Sequence, residues 1–288
     1  MPVLQLTVNG LLLGGLYLLM AQGLNLIFGV MRIVNFAHGY FIVVGGLLVF
    51  KLAEEHGWNP LLALPVAFAL FVVVGALAQR LLLEHVKAPG TQGELLTLMV
   101  TYGFAYIVIN VGLRVWGANS KSVPYLQQSW TVGHVTLNVA FVVASGVAVG
   151  LTLALFYWLN YTLSGKSVRA TSQSAVGAET CGIDTRMARL VAFALGSGLA
   201  GAAGALLVMV RPVSPQLGAD LTIICFVVIA LGGLGDYVGA AAGALILGLT
   251  ETFGGYQFGL AAQSALPYVL MIMIMLVRPQ GLNLGRIR

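Results

Sequence analysis

Residues 3–30 of this chain carry no charged side chain, and no other feature limits its fold as much. About 20 predominantly apolar residues are enough to cross a bilayer as a helix, so this run can span on its own. Further apolar runs lie at 36–50, 60–79, 95–113, 135–163, 190–210, 219–234, 237–250 and 261–277. Charged residues make up 8% of the 288, against about 25% in a soluble domain, too few to cover a water-facing surface. The expected fold is an all-α, polytopic membrane helical bundle of eight or nine hydrophobic segments, forming one domain over residues 1–288, with lipid as a contact partner. No Lys or Arg precedes the first run; it lacks the basic start of a cleavable signal peptide and reads as a retained span.

The formal charge of +5 could suggest nucleic acid, but the bases form no amphipathic face. They sit in short segments between the apolar runs: Arg80 and Lys87, then Lys166, Arg169, Arg186 and Arg189, then Arg278, Arg286 and Arg288. Cytoplasmic loops collect Lys and Arg, so these three groups are placed inside. The loops around Glu54–Trp58, Asn119–His134 and Pro212–Asp220, and the N-terminus, are then placed outside.

Two places interrupt the apolar pattern. "VMRIVNFAHGYF" (30–41) sets an arginine, an asparagine and a histidine between two hydrophobic runs, and "IALGGLGDYVG" (229–239) packs four glycines into eight positions. The second reads as a broken helix or a re-entrant hairpin, and the first as another such interruption. Non-helical backbone at membrane depth survives only where protein or a water-filled cavity satisfies it, and transporters place paired breaks where the substrate passes. The translocation candidates are therefore Asn35, His38 and Gly39 in the first break and Gly233, Gly235 and Asp236 in the second. Asn35 suits a helix cap or a substrate contact. His38 reads as a satisfied interior histidine or a pathway residue. Arg32 suits an interfacial anchor, and Asp236 a turn, a cap or a contact to an ammonium group. Glu251 is placed at the outer headgroup level.

Several patterns carry no chemistry. Gly196, Gly198 and Gly201 fit a dinucleotide fingerprint, yet lie in an apolar helix with no preceding strand. "GKS" at 165–167 lacks the upstream glycine of a phosphate loop, where Asn160 stands. Cys181 and Cys225 give neither metal spacing nor a disulfide framework, and no nucleophile constellation occurs. The expectation is a non-catalytic chain without metal or cofactor.

The polar segment 163–189, "LSGKSVRATSQSAVGAETCGIDTRMAR", reads as a short helix over 169–180, a turn at 181–184, and the start of the next span. Gly182 suits the position after a helix end, and Asp184 or Thr185 the following cap. The segment is either a solvated connector or an element that docks on a cytoplasmic partner.

Three stretches, "GLNLIFGVMRIVNFAHG" (23–39), "AETCGIDTRMARLVAFALGSGLAGAAGAL" (178–206) and "ALGGLGDYVGAAAGALILG" (230–248), together with "LVRPQGL" (276–282), resemble the membrane permease of branched-chain amino acid ABC importers, in that family's order and over most of the chain. This one is similar to the shorter of its two permeases. The resemblance implies a multi-pass subunit of the bacterial cytoplasmic membrane, moving branched-chain amino acids or similar small polar solutes inward. Its implied partners are a second homologous permease, two ATP-binding subunits that hold ATP and Mg, and an extracytoplasmic solute-binding protein. It also implies that Ala175, Glu179, Gly182, Ile183 and Asp184 belong to the coupling segment that meets the ATPase; Cys181 departs from the apolar residues usual there. The rival readings are a secondary transporter, which would want carboxylates within its spans, and a passive channel.

Overall fold

The computed structural model describes residues 2–86, 90–133, 135–278 and 280–282. Lys87, His134, Arg286 and Arg288, used above for orientation, lie outside the described residues. The chain runs through α1 (Pro2–Met31), α2 (His38–His56), α3 (Pro60–Leu81), α4 (Gly90–Trp116), α5 (Val139–Tyr161), α6 (Leu163–Gln173) and α7 (Ala175–Thr180). It continues through α8 (Thr185–Val210), α9 (Gly218–Gly232), α10 (Tyr237–Phe258) and α11 (Leu260–Val277), with 3-10 turns at Leu83–His85 and Pro215–Leu217. Each of the nine apolar runs falls on a helix. Among the described residues, seven helices are long and apolar enough to cross a membrane. The other two are α2, which carries Lys51, Glu54 and Glu55 near its end, and α11. The protein is an all-α, multi-pass membrane bundle.

Three local expectations need correction. The run at 237–250 ends early in the apolar pattern, but α10 continues to Phe258. The charge that ended the run, Glu251, is buried, and the Tyr17 hydroxyl donates to its Oε2 at 2.7 Å; a carboxylate answered inside the bundle does not stop a helix. The run at 135–163 is helical only from Val139, where Asn138 caps α5 by accepting from the Phe141 N–H at 3.2 Å. Val135–Asn138 is instead strand β2, paired antiparallel with β1 (Ser129–Val132). The helix expected over 169–180 is two helices, α6 and α7, parted at Ser174, whose hydroxyl caps α7 at the Gly177 N–H.

Burial centres on α1, α2 and α8. The buried stretch of α8 is rich in Gly and Ala, which lets neighbouring backbones approach closely where lipid offers no hydrophobic drive for association. A Cβ on Gly45 would meet the Gly201 backbone, and one on Gly198 the side chains of Phe68 and Val72 from α3. The outer helices turn Leu77, Met99, Tyr106, Leu153 and Tyr157 outward, the composition expected of a lipid-facing surface.

The loops sort to two ends. At one end an ion pair joins Arg186 to Glu84, and the Leu282 N–H reaches the Leu231 carbonyl at 2.9 Å. At the other, Gln5 pairs with the Thr136 backbone through both its amide atoms, each at 2.8 Å. There too Lys121 bridges to Val213 and lies over the Phe50 ring at 5.4 Å. The grouping matches the division drawn from the basic residues.

Candidate functional site

Helix α1 stops because Arg32 turns left-handed at φ 55 and its N–H closes on the Phe28 carbonyl at 2.8 Å, a helix end usually given to glycine. From Arg32 to Ala37 the backbone makes no regular ladder, and its polar groups need other partners at this depth. Side chains supply several of them. The Thr101 hydroxyl on α4 lies 3.2 Å from the Val34 carbonyl, and the Thr222 hydroxyl on α9 lies 3.3 Å from the Phe36 carbonyl. Asn35 Oδ1 accepts from the Ala37 N–H at 3.1 Å, and the Asn35 carbonyl accepts from the His38 N–H at 3.3 Å. Thr222 also accepts from the Gly39 N–H at 3.0 Å. His38 Nε2 lies 2.9 Å from the Met20 carbonyl; a carbonyl only accepts, so Nε2 carries the hydrogen. Gly39 is required, since a Cβ there would collide with the Gly218 carbonyl and the Thr222 backbone.

The second break is built differently. Gly233 at φ 108 and Gly235 at φ 81 make a tight turn, and Asp236 caps α10 by accepting from the Val238 and Gly239 N–H groups at 3.0 Å each. Helix α1 then holds the turn: Asn25 Oδ1 accepts from the Gly235 N–H at 2.9 Å, and Gln22 Nε2 donates to the Tyr237 carbonyl at 2.9 Å.

Both breaks open on one cavity of about 920 Å³ at the basic end. Arg32, Ile33 and Val34 line it from the first break and Leu234, Gly235 and Asp236 from the second. Helices α4, α5 and α6 close it with Glu94, Leu98, Phe156, Asn160 and Arg169. The lining thus mixes an apolar wall with two arginines and two carboxylates, a surface that suits a solute bearing both an apolar part and opposite charges. Of the six pathway candidates only Gly235 and Asp236 face this cavity. Asn35 and His38 are fully buried behind its wall, and Gly39 and Gly233 are buried helix-end positions.

Sequence reading missed Gln22, Asn25, Thr101 and Thr222, and passed over Glu94 and Arg169 as pathway residues. One signal pointed to the first two: they are the amides inside the charge-free run beyond Asn9, and polar groups at membrane depth are seldom idle.

At the same end, α7 lies at the surface. Ala175, Glu179, Gly182 and Asp184 are exposed, Ile183 is half-buried, and Val176 is 73% exposed. Its fold is set locally: Gly182 (φ 78) and Ile183 return their N–H groups to the Glu179 and Ala178 carbonyls. Asp184 caps α8 at the Arg186 and Met187 N–H groups, 3.0 Å each. Glu179 accepts from the Thr185 hydroxyl at 2.6 Å, and Arg189 donates to that hydroxyl at 3.2 Å. The helix is therefore a braced projection.

Residues 6–276 match the family described as branched-chain amino acid transport system / permease component. The high-affinity branched-chain amino acid transport system permease protein BraD of Pseudomonas aeruginosa is 30% identical over 98% of this chain and 96% of its own length. The corresponding protein LivH of Escherichia coli is 27% identical, again over 98% and 96%. A solved chain of PsaBC from Streptococcus pneumoniae in complex with Fab shares the fold at a TM-score of 0.52 and 13% identity, over 94% of this chain and 91% of that one.

Proposed function

We propose, from the premise that this chain belongs to the family of branched-chain amino acid transport system permease components, that it is the membrane-spanning pore subunit of an ATP-driven importer. The solute is a branched-chain amino acid or a similar small polar molecule, moved inward across a bacterial cytoplasmic membrane. The basic end faces the cytoplasm. A second homologous permease pairs with it, two ATP-binding subunits dock below, and an extracytoplasmic solute-binding protein delivers from above. ATP and Mg belong to the docked subunits, in keeping with a chain whose one phosphate-loop-like sequence has Asn160 where glycine is needed. The whole chain is one permease domain, with 163–189 as its coupling segment.

The observation that carries this reading is the shared cavity: two helix breaks, some 200 residues apart in the chain, line one part-polar, part-apolar space at the end from which α7 projects. A zwitterion entering hydrocarbon loses several kcal/mol of hydration; backbone and charged groups at the breaks replace it. Asp236 and Glu94 suit an ammonium group there, Arg32 and Arg169 a carboxylate. Asn35, His38 and Gly39 act from behind the wall by fixing where the first break enters it. Import then needs two states of the bundle that ATP-driven movement below selects between. Residues Ala175, Glu179, Gly182, Ile183 and Asp184 form the contact through which that movement arrives. A gradient-driven carrier or a passive channel would transport as this chain alone.

The docking role is tested at Val176, which is exposed and braces nothing. In the assembled complex Val176→Glu is expected to lower uptake-coupled ATP hydrolysis about tenfold or more, equivalent to ~1.4 kcal/mol of docking free energy. Unchanged coupling in an intact complex removes the docking role, and uptake by this chain without an ATPase removes the importer.

A further inference from the structure

Thr222 holds a position that neither the cavity lining nor the coupling segment accounts for. It is 2% exposed and sits in the second turn of α9. Its hydroxyl oxygen accepts from the Gly39 N–H at 3.0 Å. That N–H belongs to the first turn of α2, whose donors have no partner within the helix, and the residue preceding α2, Ala37, makes no side-chain cap bond. Thr222 therefore caps α2 from a different helix. The hydroxyl has one hydrogen and two acceptors within reach: the Gly218 carbonyl of its own helix at 2.8 Å and the Phe36 carbonyl of the first break at 3.3 Å.

The same helix ends in the second break. Gly232 closes α9 ten residues beyond Thr222, about 15 Å along a rigid rod, and Gly235 lines the cavity three residues later. Among the described residues, Thr222 makes the hydrogen bonds that join α9 to the first break. A shift of α9 at the cavity would reach the entry of α2 through these bonds, whichever carbonyl, Gly218 or Phe36, takes the hydroxyl hydrogen.

We infer that Thr222 is a positioning residue for transport: its hydroxyl fastens the first break to α9, so that the two breaks move together when the cavity opens and closes. The inference rests on the importer reading above. It acts through Gly39 and Phe36 and needs no contact with solute.

The test uses the complete reconstituted complex with its ATP-binding subunits and binding protein, in a Cys181→Ser background. Thr222→Val keeps the shape and removes the hydroxyl; Thr222→Ser keeps the hydroxyl and removes the methyl. Thr222→Val is expected to lower solute moved per ATP about tenfold, the scale of losing a buried hydrogen bond and leaving its partner unpaired. Thr222→Ser is expected to stay within about twofold of the parent, since the bond survives. Single cysteines at Val34 and Leu234, read with a thiol reagent, add a readout that packing alone would not move. In the parent, nucleotide changes labelling at both; in Thr222→Val it changes labelling at Leu234 only. Where valine prevents assembly, Thr222→Ala removes the same hydroxyl with less bulk. If the parent transports and the valine, alanine and serine variants behave alike, the inference falls and the importer reading stands. If the parent complex turns over ATP without moving solute, the importer reading falls and takes the inference with it.

Discussion

The two breaks do the same job in opposite ways. The second is largely a local structure: Gly233 and Gly235 adopt the left-handed turn, the adjoining Asp236 caps α10, and α1 adds side-chain hydrogen bonds from outside, through Gln22 and Asn25. The first is a tertiary structure. Apart from Asn35 its groups are answered from α1, α4 and α9 by Met20, Thr101 and Thr222. One break takes its turn and its cap from its own dozen residues; the other takes most of its partners from elsewhere in the bundle. A substitution within the first should therefore be felt by the whole assembly, and one within the second by the turn.

The sharpest probe of that contrast is alanine at one glycine of each break. Gly39→Ala drives a methyl into backbone on α9, and overpacking against an element that cannot yield costs about 3 kcal/mol. Gly235→Ala meets open space apart from the Gly29 backbone and suffers mainly its left-handed φ, about 1–2 kcal/mol. Thermal unfolding of the purified protein in detergent should rank the two in that order. Equal losses would mean that the first break is no more tertiary than the second.

A middle-sized effect is expected at Asn25, where α1 reaches the second break. Asn25→Leu leaves the Gly235 N–H without its acceptor, costing about 1–3 kcal/mol; a melting temperature unchanged from the parent would show the turn to be self-sufficient. The smallest belongs to Thr101, whose hydroxyl has Leu98 in its own helix as a second acceptor at 3.0 Å. Thr101→Val should cost about 0.5–1 kcal/mol and Thr101→Ser almost nothing. A loss at Thr101 larger than that at Asn25 would reverse this order and sharpen the contrast between the breaks.

The same distinction explains how much could be read in advance. Helices were legible because apolar runs of spanning length allow little else, and the glycine turn with its aspartate cap was legible because all its parts are neighbours. The partners of the first break were not: Thr101 lies 67 positions from Val34 and Thr222 lies 186 from Phe36, and a threonine in a span resembles any other threonine until its neighbour is known. For the same reason Asn35 and His38 were marked as pathway residues, since their polarity is visible in the sequence and their burial is not. Glu251 marked a false helix end because Tyr17, 234 positions away, supplies its hydrogen bond. Burial of a polar group follows from its partner, and the partner is set by the fold.

Helix α1 touches the two breaks on opposite sides. The bare Cα of Gly23 faces the His38 ring, while Asn25, about 200° further round the cylinder, grips Gly235. Spinning such a shaft would drag its two moorings in contrary directions and snap both, whereas sliding it lengthwise would carry them along in step. Rotation of α1 about its axis therefore works against both contacts at once.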